Sequence, residues 1–297
     1  MKPGFIEYWI IHPFWGLLDY CTFFFLRLFS THKVSNIGAY LGNLAKRRFR
    51  QACEDTQYNL ERLLPESNVG ERQKMSDRMW QNIARSLTEM AVLDRFNLEK
   101  QVIENNLEIF QQIANDKPVI FLFPHLGNWE LLAMSVINQG FKLNVMFEKV
   151  PNRFVRKLLV SSRKRLGYDL ITPDYRGTKK VFRVLKAGQA IGLAMDEFKG
   201  SQIKAPAFYG QIPQRSNIRY AINLARHFNA PIVMGYCKRI ENIHFEISYF
   251  PPLDLNTSEY QDHTDDDIAA IINEQCKTWV MENLEQWYML HRAKVER

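Results

Sequence analysis

Four cysteines in 297 residues, at positions 21, 53, 237 and 276, show no Cys-x-x-Cys pairing. A disulfide framework is therefore not indicated, and the pattern fits a reduced, cytoplasm-facing chain. There is no His-Glu-x-x-His run and no Gly-x-Ser-x-Gly elbow, which removes the common helical zinc site and the α/β-hydrolase nucleophile. Nothing resembles a zinc finger, an RNP aromatic pair or a recognition helix, so the net charge of +7 does not point to nucleic acid. No internal repeat or low-complexity linker divides the chain, and 46% apolar content suits one sizeable domain with some extra elements.

A charge-free apolar run of the ~20 residues needed to span a bilayer core is also missing. The nearest approach is Tyr8 to Phe29, which is rich in aromatics but contains His12, Pro13, Asp19 and Arg27. No small-residue cleavage site follows it, against a removable signal peptide. An interfacial anchor fits this composition, with Trp9, Phe14, Trp15 and Phe23-Phe24-Phe25 in the acyl boundary and the charges kept wet. A tilted single span and a buried core helix stay open. Cations at Arg27, Lys33 and 46 to 50 follow the segment and favour a cytoplasmic catalytic domain. Further basic clusters lie at Arg153 to Lys157, Arg163 to Arg165 and Lys179-Lys180. They suit anionic partners such as lipid headgroups or an acidic carrier protein, or are simply solvated helix faces.

The chemistry concentrates in Lys117-Pro-Val-Ile-Phe-Leu-Phe-Pro-His-Leu-Gly-Asn-Trp-Glu130. Val119 to Phe123 reads as a buried strand, which places His125 at its carboxyl end, where open α/β sheets bind ligands. Asn128 is a good N-cap for a helix beginning at Trp129, and Glu130 falls in its first turn. A His base oriented by a carboxylate is what acyl transfer to a hydroxyl requires. A first-turn Glu also satisfies the helix dipole on its own, and a strand-end His is often just a satisfied polar group. Spacing alone leaves both readings open.

The hexapeptide His125-Leu-Gly-Asn-Trp-Glu130 resembles the H-x4-D/E block of the bacterial lipid A biosynthesis acyltransferases, within the wider lysophospholipid-acyltransferase-like group. Other blocks agree in order: Asn59-Leu60 with Leu64-Pro65-Glu66, Arg163-Lys-Arg-Leu-Gly167, Asp196 after an apolar strand, Phe208-Tyr209-Gly210, and Trp287-Tyr-Met-Leu-His-Arg292. Departures occur at Glu197-Phe198, where Gln usually follows the Asp, and at Gln211 to Ser216, usually a small Thr-rich turn. Both segments bear on substrate more than on chemistry.

The resemblance implies a membrane-bound acyltransferase that moves a fatty acyl chain from an acyl-carrier-protein thioester to a hydroxyl of a lipid A precursor, on an existing 3-hydroxyacyl chain. It implies no cofactor and no metal. His125 is expected as general base and Glu130 as its orienter. Asn128, Arg163, Asp196, Phe208 and Tyr209 are expected around substrate, Arg163 through its phosphate-matching fork and the two aromatics along the acyl path. Asp196 is alternatively a structural partner for an Arg, and His291 with Arg292 reads as a local pair remote from the block. Residues 1–30 form the anchor and 31–297 the acyltransferase domain, at the cytoplasmic face of the inner membrane, monotopic or single-pass. Competing readings are the same chemistry on a lysophospholipid or mannosylated phosphatidylinositol, a thioesterase or lipid hydrolase, and a non-catalytic lipid-binding protein.

Strands are expected near 101–104, 118–123, 142–147, 168–172, 190–195, 231–238 and 243–249. Helices are expected near 34–62, 70–92, 128–139, 152–166, 178–187, 216–228 and 266–286, with a short one ending at 115. This alternation predicts an α/β fold with a mostly parallel central sheet flanked by helices. The two long N-terminal helices are expected on one side of the sheet.

Overall fold

Every residue of Val119–Phe123 is buried, and a strand with no wet face has to lie inside a sheet covered on both sides. The computed structural model describes residues 4–293 and 295, apart from 115, 149, 197, 200, 201, 204 and 211. Of the two departing segments, only Glu197 and Gln211 themselves fall outside the described residues. Nine strands are described: β1 (Val102–Asn105), β2 (Val119–Phe123), β3 (Leu143–Met146), β4 (Asp169–Ile171), β5 (Ala190–Ala194), β6 (Phe198–Lys199), β7 (Gln202–Ile203), β8 (Ile232–Glu241) and β9 (His244–Tyr249). Seven form one sheet in the order β1-β9-β8-β2-β5-β3-β4. The pairings around β2, β3 and β5 are parallel, and only β8 with β9 is antiparallel. The expected mostly parallel sheet is present. The β6–β7 hairpin was not anticipated, since its two-residue strands are too short for a period to register.

The helices are α1 (His12–Leu26), α2 (Thr31–Arg48), α3 (Arg50–Leu63), α4 (Val69–Glu89), α5 (Leu98–Gln101), α6 (Trp129–Asn138), α7 (Arg153–Arg165), α8 (Tyr175–Lys186), α9 (Asn217–Phe228) and α10 (Asp265–Glu282). Alternate β2 side chains enter two separate layers. Ile120 and Leu122 join Val181 of α8, Ile222 of α9 and Ile272 of α10. Val119, Phe121 and Phe123 join Leu131 of α6, Leu158 of α7 and Phe23 of α1.

The single helix expected over 34–62 is two, broken at Phe49 with φ −109° and ψ 53°. The Phe49 ring stacks on Trp80 of α4, so packing overrides a continuous helical pattern there. Nor do the N-terminal helices keep to one side of the sheet. Leu60, Leu63, Met79 and Trp80 enter the first layer, whereas Val34 of α2 enters the second. α2 lies close along α4, because Gly38 and Gly42 present no side chain where a Cβ would collide with Thr88 and the Trp80 carbonyl.

The N-terminal helix is anchored to the domain along its length. His12 is buried, its carbonyl accepts from Asn152 Nδ2 at 3.0 Å, and Gly16 lies against Phe154 of α7. At the far end Phe23 and Leu26 are core residues, and Arg27 donates to both oxygens of Asp94 at 2.8 and 2.9 Å. The opposite face leaves Trp9, Ile10, Phe14, Trp15, Leu17 and Phe24 exposed. Glu7–Leu26 is long and apolar enough to cross a membrane by length and composition.

Candidate active site

The parallel register pairs Phe123 of β2 with Ala194 of β5. Two residues beyond each strand end stand His125 and Asp196, so neighbouring strand ends bring imidazole and carboxylate together. His125 Nδ1 lies 2.8 Å from Asp196 Oδ1, and the His125 backbone N–H donates to Oδ2 at 2.8 Å. A third donor, Trp287 Nε1–H, reaches Oδ2 at 2.7 Å. Asp196 is fully buried, and a carboxylate can only accept, so Nδ1 donates to it, which in the neutral tautomer makes Nε2 the acceptor nitrogen. No described group hydrogen-bonds to Nε2. The His125 side chain keeps 21% of its surface accessible, so a substrate can approach.

The turn after β2 is held by three contacts with the 286–288 segment. Leu126 bridges Trp287 in antiparallel fashion, Gly127 N–H donates to Gln286 O at 3.2 Å, and Tyr288 N–H donates to His125 O at 2.9 Å. Gly127 has φ +56°, and a Cβ there would collide with the Cys237 carbonyl. Only glycine meets both demands. Around the imidazole stand Trp129, ring centroids 4.9 Å apart and edge to face, and Tyr288 at 6.2 Å.

Glu130 sits elsewhere than its spacing suggested. Its buried carboxylate takes the Arg163 guanidinium, with Nη2 at 2.5 Å and Nε at 3.1 Å from Oε1, and accepts the Tyr168 hydroxyl. Burial on its own would raise the Glu130 pKa, but the charge and hydrogen bonds of Arg163 and the Tyr168 hydroxyl outweigh it and hold the group below the usual carboxylate range. Burial likewise opposes the Arg163 charge, and Glu130 overcomes it, so the guanidinium stays protonated more firmly than usual. Tyr168 is pushed well up, first by burial and then by the Glu130 charge. The expected orienter position on His125 is thus filled by Asp196. Asn128 starts α6 by accepting the Glu130 N–H at 3.3 Å, which turns residue 130 toward Arg163 and Tyr168.

The remaining expected residues separate in the same way. Arg163, expected to offer its fork to a phosphate, has it engaged by Glu130 and lies over the Phe147 ring at 4.9 Å. Asn128 is buried, and its amide is taken by Glu89 Oε2 at 2.9 Å and by the Glu130 N–H. Phe208 packs edge-on against Trp287 at 5.7 Å, one ring away from Asp196. Tyr209 is exposed, with its hydroxyl 3.4 Å from the Arg62 carbonyl. His291 accepts from Arg292 Nε at 3.2 Å, and burial together with the Arg292 charge lowers its pKa to about 4. Its segment is remote from the block in sequence only, since Tyr288 spans from His125 to His291. Asn59 explains its own block: its amide holds the carbonyls of Leu290 and Ala293 and the N–H of Val295.

Sequence reasoning missed Trp287 and Tyr288 as parts of the site and Tyr168 as a partner of Glu130. Tyr168 directly follows the quoted Gly167, but nothing in its type or spacing signals a carboxylate 38 residues earlier. Among the described residues, no group of three His, Cys, Asp or Glu side chains is arranged to hold a metal ion.

The sequence profile described as "Bacterial lipid A biosynthesis acyltransferase" matches residues 6–293. "Lipid A biosynthesis acyltransferase 2" of Shigella flexneri is 30% identical over 138 residues, which are 45% of this chain and 43% of that protein. This chain therefore aligns with less than half the length of that relative. "Lipid A biosynthesis myristoyltransferase" of Escherichia coli (strain K12) is 24% identical over 263 residues, 86% of this chain and 77% of that one. The crystal structure of a 1-acyl-sn-glycerophosphate acyltransferase from Thermotoga maritima matches with a TM-score of 0.39 and 11% identity, over 90% of this chain and 100% of the other. With the family profile covering nearly its whole length, the chain belongs to the bacterial lipid A biosynthesis acyltransferases.

Proposed function

We propose that this protein transfers a fatty acyl chain from an acyl-carrier-protein thioester to a hydroxyl of a lipid A precursor, at the cytoplasmic face of the inner membrane. The observation that carries the reading is the pairing of His125 Nδ1 with buried Asp196, which leaves Nε2 as a base. Nε2 removes the acceptor hydroxyl proton as its oxygen attacks the thioester carbonyl carbon. The tetrahedral oxyanion then collapses, the C–S bond breaks, and the imidazolium returns the proton to the departing thiolate. Asp196 stabilises the imidazolium while it exists. A thioester leaves easily, so positioning and a base are the main requirements.

Glu130, Arg163 and Tyr168 act in this reading as the wall that fixes the first turn of α6 beside the imidazole. Residues 1–30 serve as the membrane anchor and 31–297 as the acyltransferase domain. The exposed aromatic face of α1 supports an interfacial anchor, because its other face is already packed on α7 and the core. Aromatic side chains of this kind favour the headgroup and acyl boundary.

The test is a balance of label. With acyl-labelled carrier-protein thioester, consumption should require a lipid A precursor and equal the acylated lipid formed, and His125→Ala should lower both by about 10²–10⁴-fold. Free fatty acid as the main product regardless of acceptor would replace transfer with hydrolysis. Product on a lysophospholipid alone would keep the chemistry and change the acceptor.

A further inference from the structure

Behind the catalytic turn lies a buried ion pair that the chemistry above does not use. Glu89, the last residue of α4, is fully buried, and Arg239 of β8 is nearly so. Arg239 Nη1 and Nη2 donate to Glu89 Oε1 and Oε2 at 2.8 and 2.9 Å. Neither residue touches His125 or Asp196. We propose that Glu89 and Arg239 are positioning residues for acyl transfer, which hold the 125–128 turn in place by orienting the Asn128 carboxamide. The proposal rests on the functional reading given above.

The orientation follows from donor and acceptor chemistry. Glu89 Oε2 already receives Arg239 and can only accept, so Asn128 must present its NH2, which it does at 2.9 Å. The amide oxygen is thereby directed to the Glu130 N–H, the first turn of the helix that carries Trp129 against His125. An apolar group at position 89 would leave the amide free to turn over. The same scaffold grips the neighbouring peptide. Ser86, one turn before Glu89, donates to Gly127 O at 2.9 Å. Gln286 accepts the Gly127 N–H through its backbone, while its side-chain amide pairs with both the N–H and the carbonyl of Arg239, at 2.6 and 2.9 Å.

Stability alone is a poor reason for such a pair. Replacing a buried ion pair by well-packed apolar residues is often neutral or stabilising. Here, among the described residues, Arg239 Nε is also buried without a hydrogen-bond partner. What the carboxylate does and a leucine cannot is fix the Asn128 amide.

The test compares Glu89→Gln with the double replacement Glu89→Leu with Arg239→Met. Glutamine keeps an acceptor for Asn128 but leaves the Arg239 charge uncompensated, so it should melt lower than wild type yet keep most of kcat. The double variant should melt within about 3 °C of wild type, lose roughly 10²-fold in kcat, and exchange the amides of residues 126–131 faster. Stability and turnover then rank the two variants in opposite orders, whereas a merely structural pair makes turnover follow stability. That parallel ranking, or wild-type exchange in the double variant, would overturn the proposal. Asn128→Ala, which leaves the ion pair whole, should match the double variant in lost kcat. Wild-type kcat in Asn128→Ala refutes the idea even where the double variant fails to fold. The exchange readout needs no substrate, so it separates failure of the clamp from failure of the acyl-transfer reading.

Discussion

Asp196→Asn should slow acyl transfer more than any change at Glu130 that leaves the protein folded. Three donors converge on the Asp196 carboxylate: His125 Nδ1–H, the His125 backbone N–H and Trp287 Nε1–H, all between 2.7 and 2.8 Å. An asparagine offers one oxygen and one NH2 in the same space. Its oxygen will take the side facing the backbone N–H and the indole, two donors that have no alternative form. The NH2 then faces Nδ1, which has to become an acceptor, and the ring proton moves to Nε2. A ring protonated at Nε2 cannot take the hydroxyl proton, so kcat should fall on the order of 10²–10⁴-fold. The stability loss should stay near 1–3 kcal/mol, the usual range for a disturbed buried hydrogen bond. Turnover per folded molecule, measured with labelled thioester beside a thermal melt, checks both figures. Glu130→Gln should destabilise yet retain turnover within about tenfold of wild type, because Glu130 does not touch the imidazole ring nitrogens. Near wild-type turnover in folded Asp196→Asn, with Glu130→Gln inactive, would return the orienter role to Glu130.

Arg163→Met strands a buried carboxylate and should cost about 3–5 kcal/mol at neutral pH, readable as a lower urea midpoint at unchanged slope. Because the folded Glu130 pKa lies below its unfolded value of ~4.3, the stability it contributes is present above that value and is lost as pH falls through the folded one. Without Arg163, burial raises the Glu130 pKa, so the advantage of wild type over Arg163→Met should shrink as pH falls through that raised value and vanish once pH is below the wild-type folded one; a pH series of melts tests this. Gly127→Ala, with φ +56° and a carbonyl in the way, should lose at least about 1–3 kcal/mol together with most activity. Changing Trp9, Phe14 and Trp15 together to Ser should shift the protein from membrane to soluble fractions while the melt stays near wild type, since all three are exposed. High salt alone should not release the wild type. Unchanged partition would assign attachment to other surfaces.

How much was legible in the sequence depended on distance along the chain. β2, the turn and α6 were readable because apolar run, Pro-to-Gly turn and Asn N-cap are local signals in consecutive residues. Asp196 was placed near the cleft from its strand-end position, but its partnership with His125 required knowing that β5 lies beside β2, and no local pattern states strand order. Glu130 was misdirected for the same reason. Its true partner Arg163 is 33 residues away, and a carboxylate five residues from a histidine was the nearer candidate. Glu89 and Arg239, separated by 150 residues, carried no signal at all: in sequence each looks like an ordinary charged residue on an amphipathic element.

The strand-like bridge between Leu126 and Trp287 ties the catalytic turn to a segment made 91 residues after Asp196. At a synthesis rate of about 5–20 residues per second, that interval lasts on the order of 5–20 s. Through it the nascent chain already holds its aromatic helix and both members of the His–Asp pair, without the indole that completes the carboxylate's set of donors or the Tyr288 edge against the imidazole. If the aromatic helix is the proposed anchor, a chain on its way out of the ribosome meets the lipid surface before its site is complete. On the proposed reading, completion of the site is a late step in translation, and a polypeptide ending at Gln286 is expected to lack the acyl transfer proposed for the full chain.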